Sequence, residues 1–311
     1  MQPRLFYCDH YTIPLPAGHK FPAEKYRLLR ETLARDSVFE LEPADFARPE
    51  LIELAHDPAY VAGFLNGTLD PAIMRRIGFP WSHELTRRTL ASLGGTLAAS
   101  EDALRTGLGG NLAGGTHHAF RAEGAGFCVF NDIAVGILAL RQEHGVRRAA
   151  VVDLDVHQGD GTAAIFCDDS DVLTLSIHGR YNFPLRKQRS RMDIDLPDGA
   201  EDAEYLAALE RVLPRVFEFA PEVVFYHAGV DGLAGDRLGR LALSLDGLKR
   251  RDRLVLQMCR SRGVPVVITL GGGYAEPIAK TVEAHANTFR VAAEVLRLSY
   301  EIQGPAFGRA T

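Results

Sequence analysis

The sequence predicts a single α/β domain over residues 1–311, built on an open, mainly parallel sheet with helices on both faces. Three observations predict it. Short β-branched apolar runs recur from the middle of the chain onward, stretches with helical spacing separate them, and polar clusters stand where the apolar runs end. Near-continuous apolar strands suit a parallel sheet covered on both sides, because neither face then meets water.

The elements are expected in this order. A weak strand over 5–8 comes first, followed by helices over 23–35 and 84–106 and a short strand over 111–113. A helix over 133–143 begins after Asn131-Asp132, a good N-cap pair, and stops at Gly145. Strands are then expected over 149–154 and 172–177, a helix over 203–219, and a strand over 222–227. A helix over 247–262, a strand over 265–270 and a helix over 277–298 complete the pattern. No linker, internal repeat or low-complexity segment divides the chain, so one domain is the simplest reading, although this length could hold two.

Composition narrows the class. The chain is 46% hydrophobic and 24% charged, which is ordinary for a globular protein. Its net charge of -5 argues against a nucleic-acid partner. The densest basic run, 186–191, reads as a solvated surface; a rim that steers an anionic substrate is the alternative. Cys8, Cys128, Cys167 and Cys259 form no C-x-x-C pair, so neither a structural zinc cluster nor a disulfide framework is expected, and a reducing interior is the default. The residues after Met1 hold no apolar stretch of signal-peptide or membrane-helix length. The expectation is a soluble cytoplasmic protein with no membrane partner.

In such sheets a ligand sits outside the carboxyl ends of the strands. Four polar stretches fall there: Gly114 to His118, Asp153 to His157, His227 to Asp231, and Gly271 to Tyr274. Residues two apart on an extended segment point the same way, so Asp155 and His157 can grip one ion, and Asp153 shares their side. Charges at the end of a buried strand need compensation. Asp231, by itself most often a turn aspartate, supplies a third ligand beside that pair. Two carboxylates and one imidazole leave an open position on zinc, which polarises a carbonyl and activates water. The tandem His117-His118 can move protons to and from the reacting group, with Asp153 and Asp160 available to set the tautomers. Tyr274, after three glycines, can donate a hydrogen bond to a developing oxyanion.

These motifs together resemble the histone deacetylase superfamily, which includes acetylpolyamine amidohydrolases and acetoin-utilisation proteins. The resemblance is carried by Thr116-His117-His118-Ala119, the run from Gly126-Phe127 to Asn131-Asp132, Asp153-Leu-Asp155-Val-His157-Gln-Gly-Asp160-Gly161, Gly229-Val-Asp231 to Asp236, and Gly271-Gly-Gly-Tyr274. It spans the chain from Pro16-Ala-Gly-His19 to the helix after Tyr274. The stretch 183–199 looks like the class IV group and its bacterial relatives. The resemblance implies an arginase-like fold with zinc on Asp155, His157 and Asp231. It makes His117 and His118 catalytic, supported by Asp153 and Asp160, and Tyr274 the oxyanion donor. The Gly126 carbonyl would accept a hydrogen bond from the substrate amide, while Phe127 and Phe183 wall the channel. A potassium ion near Asp153, Asp155 and Ser176 is also implied.

The expected activity is zinc-dependent hydrolysis of an acylated amine: acyl-lysine, or alternatively an acetylpolyamine or other small amide. In the expected mechanism the histidine pair deprotonates the attacking water, and a protonated His118 releases the amine. One departure bears on the substrate. Family members carry an early-loop aspartate that grips the substrate backbone, whereas residues 77–83 hold none. Trp81 in that loop suits the channel mouth or the core. A binuclear manganese ureohydrolase would need further carboxylates, but Gly159, Gly229 and Leu233 stand where they would be. No G-x-G-x-x-G run supports nucleotide binding. The non-enzyme alternative is an acyl-ligand-binding sensor or scaffold.

Overall fold

The computed structural model describes residues 4–36 and 38–302, so both ends of the expected 1–311 domain lie outside the described residues. Its strands are β1 (Arg4–Tyr7), β2 (Glu40–Pro43), β3 (Leu108–Asn111), β4 (Ala149–Asp153), β5 (Val172–Gly179), β6 (Met192–Leu196), β7 (Val223–His227) and β8 (Val266–Thr269). Its helices are α1 (Glu24–Asp36), α2 (Pro49–Ile52), α3 (Pro58–Leu65), α4 (Pro71–Ile77), α5 (His83–Thr106), α6 (Asp132–His144), α7 (Asp160–Ile165), α8 (Asp202–Glu218), α9 (Leu245–Arg262) and α10 (Ala279–Ile302).

The strands form one sheet in the order β2-β1-β3-β8-β7-β4-β5-β6, and every described pairing is parallel. Every residue of β4, β5, β7 and β8 is buried, so helices cover both faces of the sheet centre. This is the expected α/β, arginase-like architecture. Strands β3, β8, β7 and β4 are neighbours, and their carboxyl ends carry the four polar stretches singled out in the sequence. The crevice they edge is the binding position such a sheet provides.

Local chemistry explains most boundaries. Helix α6 opens with the Asn131 side chain accepting from the Ala134 N–H at 3.0 Å, and it closes at Gly145, whose φ is 68°. Helices α3 and α4 are short segments begun by Pro58 and Pro71. Asp57 and Asp70 cap them by accepting from the Ala59 and Ala72 N–H groups at 2.7 and 2.6 Å. Too few turns made these helices invisible as periodic patterns. Strand β3 lies at Leu108–Asn111 rather than 111–113. Its glycines disguise it, yet the packing demands them: a Cβ at Gly109 would overlap the Ala99 carbonyl, and one at Gly110 would overlap Leu5. The edge strands β2 and β6 escaped the apolar-run criterion because both are partly exposed.

Among the described residues no helix is long and apolar enough to cross a membrane. All four cysteines are free; Cys8, Cys128 and Cys259 are buried and Cys167 is exposed.

One buried carboxylate holds the turn after β3 to the start of α6. Asp132 accepts from the Gly115 and Thr116 N–H groups at 3.0 and 2.7 Å and from the Thr96 hydroxyl at 2.5 Å. Asp132→Ala strands these buried donors, so unfolding free energy should fall by at least about 3 kcal/mol. Urea unfolding checks this, and a loss below about 1 kcal/mol would contradict the anchoring role.

Candidate active site

The site is built where β4 ends. Asp153 closes the strand, paired in register with Ser176 on β5 and His227 on β7. The chain beyond it turns so that Asp155 and His157 face Asp231, which lies four residues past β7 in the loop that follows it. His157 Nδ1 lies 3.0 Å from Asp155 Oδ1 and 3.0 Å from Asp231 Oδ2. The remaining carboxylate oxygens are held from behind: Asp155 Oδ2 accepts from the Gly272 N–H at 2.7 Å, and Asp231 Oδ1 from the Val156 N–H at 2.9 Å. Asp231 Oδ2 is buried and, although His157 Nδ1 stands 3.0 Å away, it accepts no well-aligned hydrogen bond. An orphaned carboxylate oxygen is costly in a protein interior.

The electrostatics point the same way. Burial, reinforced by the Asp155 charge, pushes the Asp231 carboxyl up to about 7. Burial also opposes charge on His157, but the facing Asp231 and Asp155 outweigh it and carry the imidazole up to about 10. The pocket therefore favours positive charge between these three side chains. Two carboxylates, one imidazole and one unpaired oxygen fit a divalent cation of the zinc type.

The histidine tandem stands beside this cluster. The His117 Nδ1–H donates to Asp153 Oδ2 at 2.7 Å, and the His118 Nδ1–H donates to Asp160 Oδ1 at 2.6 Å. Their Nε2 atoms approach to 3.1 Å. The two imidazoles sit in different fields. Burial disfavours charge on both. For His117 the charges of Asp153 and Asp155 overcome it and raise the ring to about 9. For His118 burial and the neighbouring His117 hold the ring well below the ordinary value. Burial pushes the supporting Asp160 up to about 6.

Tyr274 reaches the same cavity from the loop after β8. Burial, with Asp231 and Asp155 nearby, pushes its phenol well above the ordinary tyrosine range, so it is a neutral O–H donor. Gly126 and Phe127 are both left-handed, with φ of 55° and 68°. A bulky residue at positive φ is strained and persists only where surroundings hold it. Here the Gly126 and Phe127 N–H groups donate to the Arg76 and Ile77 carbonyls at 3.1 and 2.7 Å. Phe127 stands 6.4 Å from Tyr274 and Phe183 stands 4.8 Å from His118, ring centre to ring centre. These walls belong to a cavity of about 530 Å³ with Asp155 and His157 in its lining.

The structure thus brings Asp155, His157, Asp231, His117, His118, Asp153, Asp160, Tyr274, Gly126, Phe127 and Phe183 to one place. The potassium set is differently disposed. Ser176 lies abreast of Asp153, but its hydroxyl is paired with His178 Nδ1 at 2.9 Å, and the Asp153 oxygens accept from His117 and the Asp155 N–H. Trp81 is not at the mouth: its indole N–H donates to the Phe64 carbonyl at 2.7 Å and its ring covers Gly67. Carboxylates for a second metal have no room at Gly159 and Gly229, where even a Cβ would overlap Asp153 and Asp155 respectively.

The sequence model of the histone deacetylase domain matches residues 19–289. The chain belongs to the histone deacetylase family. It is a family hydrolase that resembles the histone deacetylase-like amidohydrolase of Pseudomonas aeruginosa, at 32% identity over 85% of this chain and 74% of the relative. It is 29% identical to histone deacetylase 2 of Arabidopsis thaliana, over 85% of this chain and 72% of that protein. An uncharacterized protein of Picosynechococcus is 46% identical over 93% of this chain and 98% of its own length.

Three residues of this deacetylase-family site went unassigned in the sequence. His227 lies 4.5 Å from His117, ring to ring, with Nε2 3.6 Å from Asp155 Oδ2. Its strand position opposite Asp153 was the available signal. Lys25 is buried, donates to the Gly271 carbonyl at 2.9 Å and lies 5.5 Å from the Tyr274 ring centre. Burial lowers it to about 8 against the pull of Asp231 and Asp155. A lysine in the 25, 29, 33 stripe of an amphipathic helix was the clue. Asp236 accepts from the Tyr274 N–H at 2.6 Å and from the Leu238 and Gly239 N–H groups at 2.8 and 3.0 Å. Asp236→Ala should therefore accelerate amide hydrogen exchange at Tyr274, Leu238 and Gly239 together, by tenfold or more on the order of one lost hydrogen bond each. Unchanged protection at Tyr274 would show that Asp236 does not hold it.

Proposed function

We propose that this chain is a zinc-dependent deacylase that hydrolyses the amide of an acylated amine, acyl-lysine being the reference substrate, and that it works as one catalytic domain in the cytoplasm. The observation that carries the proposal is the buried trio Asp155, His157 and Asp231, with an unpaired Asp231 oxygen, beside two carboxylate-supported histidines. Asp155, His157 and Asp231 would hold zinc, which when bound supplies Lewis-acid polarisation of the amide carbonyl and activation of a water. A potassium ion near Asp153, Asp155 and Ser176 belongs to the reading only as a structural support, and no step passes through it.

The protein's own groups do the remainder. Phe127 and Phe183 flank the stem of the acylated amine and exclude water from it. The Gly126 carbonyl accepts from the amide N–H and sets the orientation of the scissile bond. The Tyr274 hydroxyl donates to the carbonyl oxygen as negative charge develops there. His118, kept neutral, takes the proton from the attacking water and returns it to the departing amine. His117, cationic against Asp153, stabilises the charge that builds beside it. This division refines the expectation that the pair acts jointly as base.

An acetylpolyamine or another small acylated amine uses the same core and differs only in what lies at the mouth. A sensor or scaffold role, the non-enzyme alternative, would leave the paired histidines without use.

Tyr274→Phe removes one oxyanion donor and should lower kcat on the order of a hundredfold or more, with little change in KM. Near-normal turnover would remove Tyr274 from the chemistry. The broader test is amine release by zinc-loaded protein from acetyl-lysine, long-chain acyl-lysine and acetylpolyamine substrates, with Asp231→Ala as control. Release that the control abolishes supports the deacylase. No release from any of them, with zinc bound, turns the case toward ligand binding alone.

A further inference from the structure

The cavity mouth carries a chemistry that the catalytic core does not use. Two arginines, Arg76 and Arg240, are in the lining, and the one carboxylate among the lining residues is Asp155 at the floor. The carboxylates that pair with the arginines, Glu123 at 2.5 Å from Arg76 and Asp198 at 3.1 Å from Arg240, are not in the lining. Both arginine side chains are about half exposed and each gives one nitrogen to its carboxylate, so further N–H donors remain for a second acceptor.

These arginines are mounted on fixed backbone. The Arg76 carbonyl accepts from Gly126 in the channel wall. On the other side, the buried Asn182 side chain donates to the Leu238 carbonyl at 2.7 Å and accepts from the Arg240 N–H at 3.2 Å, tying the two rim loops together. Lys187 folds back and donates to the Asn182 and Pro184 carbonyls at 2.6 and 2.9 Å, so the basic run 186–191 is not simply a solvated surface. Arg186 and Arg189 in that run are exposed. The loop also shows apolar side chains at the mouth: Tyr181, Phe183 and Leu185 are 59%, 43% and 90% exposed.

We infer that the mouth selects acylated amines that carry a carboxylate beyond the acylated nitrogen, and that it disfavours substrates that place an ammonium group there. This rests on the deacylase reading and names its substrate class. An acylpolyamine would bring ammonium groups against Arg76 and Arg240. An acyl-lysine with acidic neighbours brings carboxylates to the same guanidiniums and lays the methylene groups of its side chains on Tyr181 and Leu185. Like-charge contact at a binding site acts strongly on specificity.

The test compares kcat/KM of the zinc-loaded full chain on capped acetyl-lysine peptides with flanking Glu, Ala or Lys, and on N-acetylputrescine, at low and high salt. The Glu peptide should exceed the Lys peptide by about tenfold at low salt, with the ratio shrinking at high salt. N-acetylputrescine should be the poorest of the four. The Arg76→Glu/Arg240→Glu double variant should reverse the Glu-to-Lys order. That ratio is read within one protein and is insensitive to loss of folded material. Equal rates on the Glu and Lys peptides, or fastest turnover of N-acetylputrescine, would overturn the inference while leaving the deacylase standing. No cleavage of any substrate would overturn the deacylase reading and this inference with it.

Discussion

Two carboxylates buried at the feet of neighbouring strands, Asp155 and Asp231, must be compensated, and much of the site follows from that constraint. Both are almost fully buried, and backbone N–H groups of Val156 and Gly272 hold one side of each carboxylate. The other side converges on His157 and leaves one oxygen unpaired. Burial of charge at this density is costly without a cation. The surrounding glycines are consequences of the same crowding. A Cβ at Gly229 or Gly272 would overlap Asp155 or Asp231, and Gly115 and Gly271 make room for His227.

The sheet makes this arrangement possible. Strands far apart in sequence, β3, β8, β7 and β4, lie side by side and release their polar stretches at one edge. Behind them, Arg251 donates to the Gly229 carbonyl at 2.5 Å and to Asp252, which also accepts from Tyr226 and Thr288. This buried network joins the segment before Asp231 to α9 and α10. Asp231 is thus borne by a segment whose position is fixed from the core, as a preorganised site requires.

The alternating pattern of apolar strands and amphipathic helices made the sheet legible, and the Asp-x-Asp-x-His spacing over 153–157 made the candidate ligand pair legible, although the chain turns after Asp153 instead of staying extended. The rest was hidden for physical reasons. Strand β3 is rich in glycine because α5 crowds Gly109 while Leu5 and Phe289 crowd Gly110, a tertiary demand that inverts strand propensity. The short helices α2, α3 and α4 depend on proline starts rather than on periodicity. Lys25 and His227 matter through neighbours more than forty residues away in sequence, and no local pattern announces such contacts. Trp81 could not be placed from its loop alone, and the structure puts it against Gly67 rather than at the mouth.

Asp155, His157 and Asp231 are proposed to hold one zinc ion. Anomalous diffraction from crystals of the protein, recorded on either side of the zinc absorption edge, tests it most directly. A single strong zinc peak is expected at bonding distance from His157 Nδ1 and from carboxylate oxygens of Asp155 and Asp231. A peak among His117, Asp153 and His227 instead, or no peak from zinc-saturated protein, would contradict it.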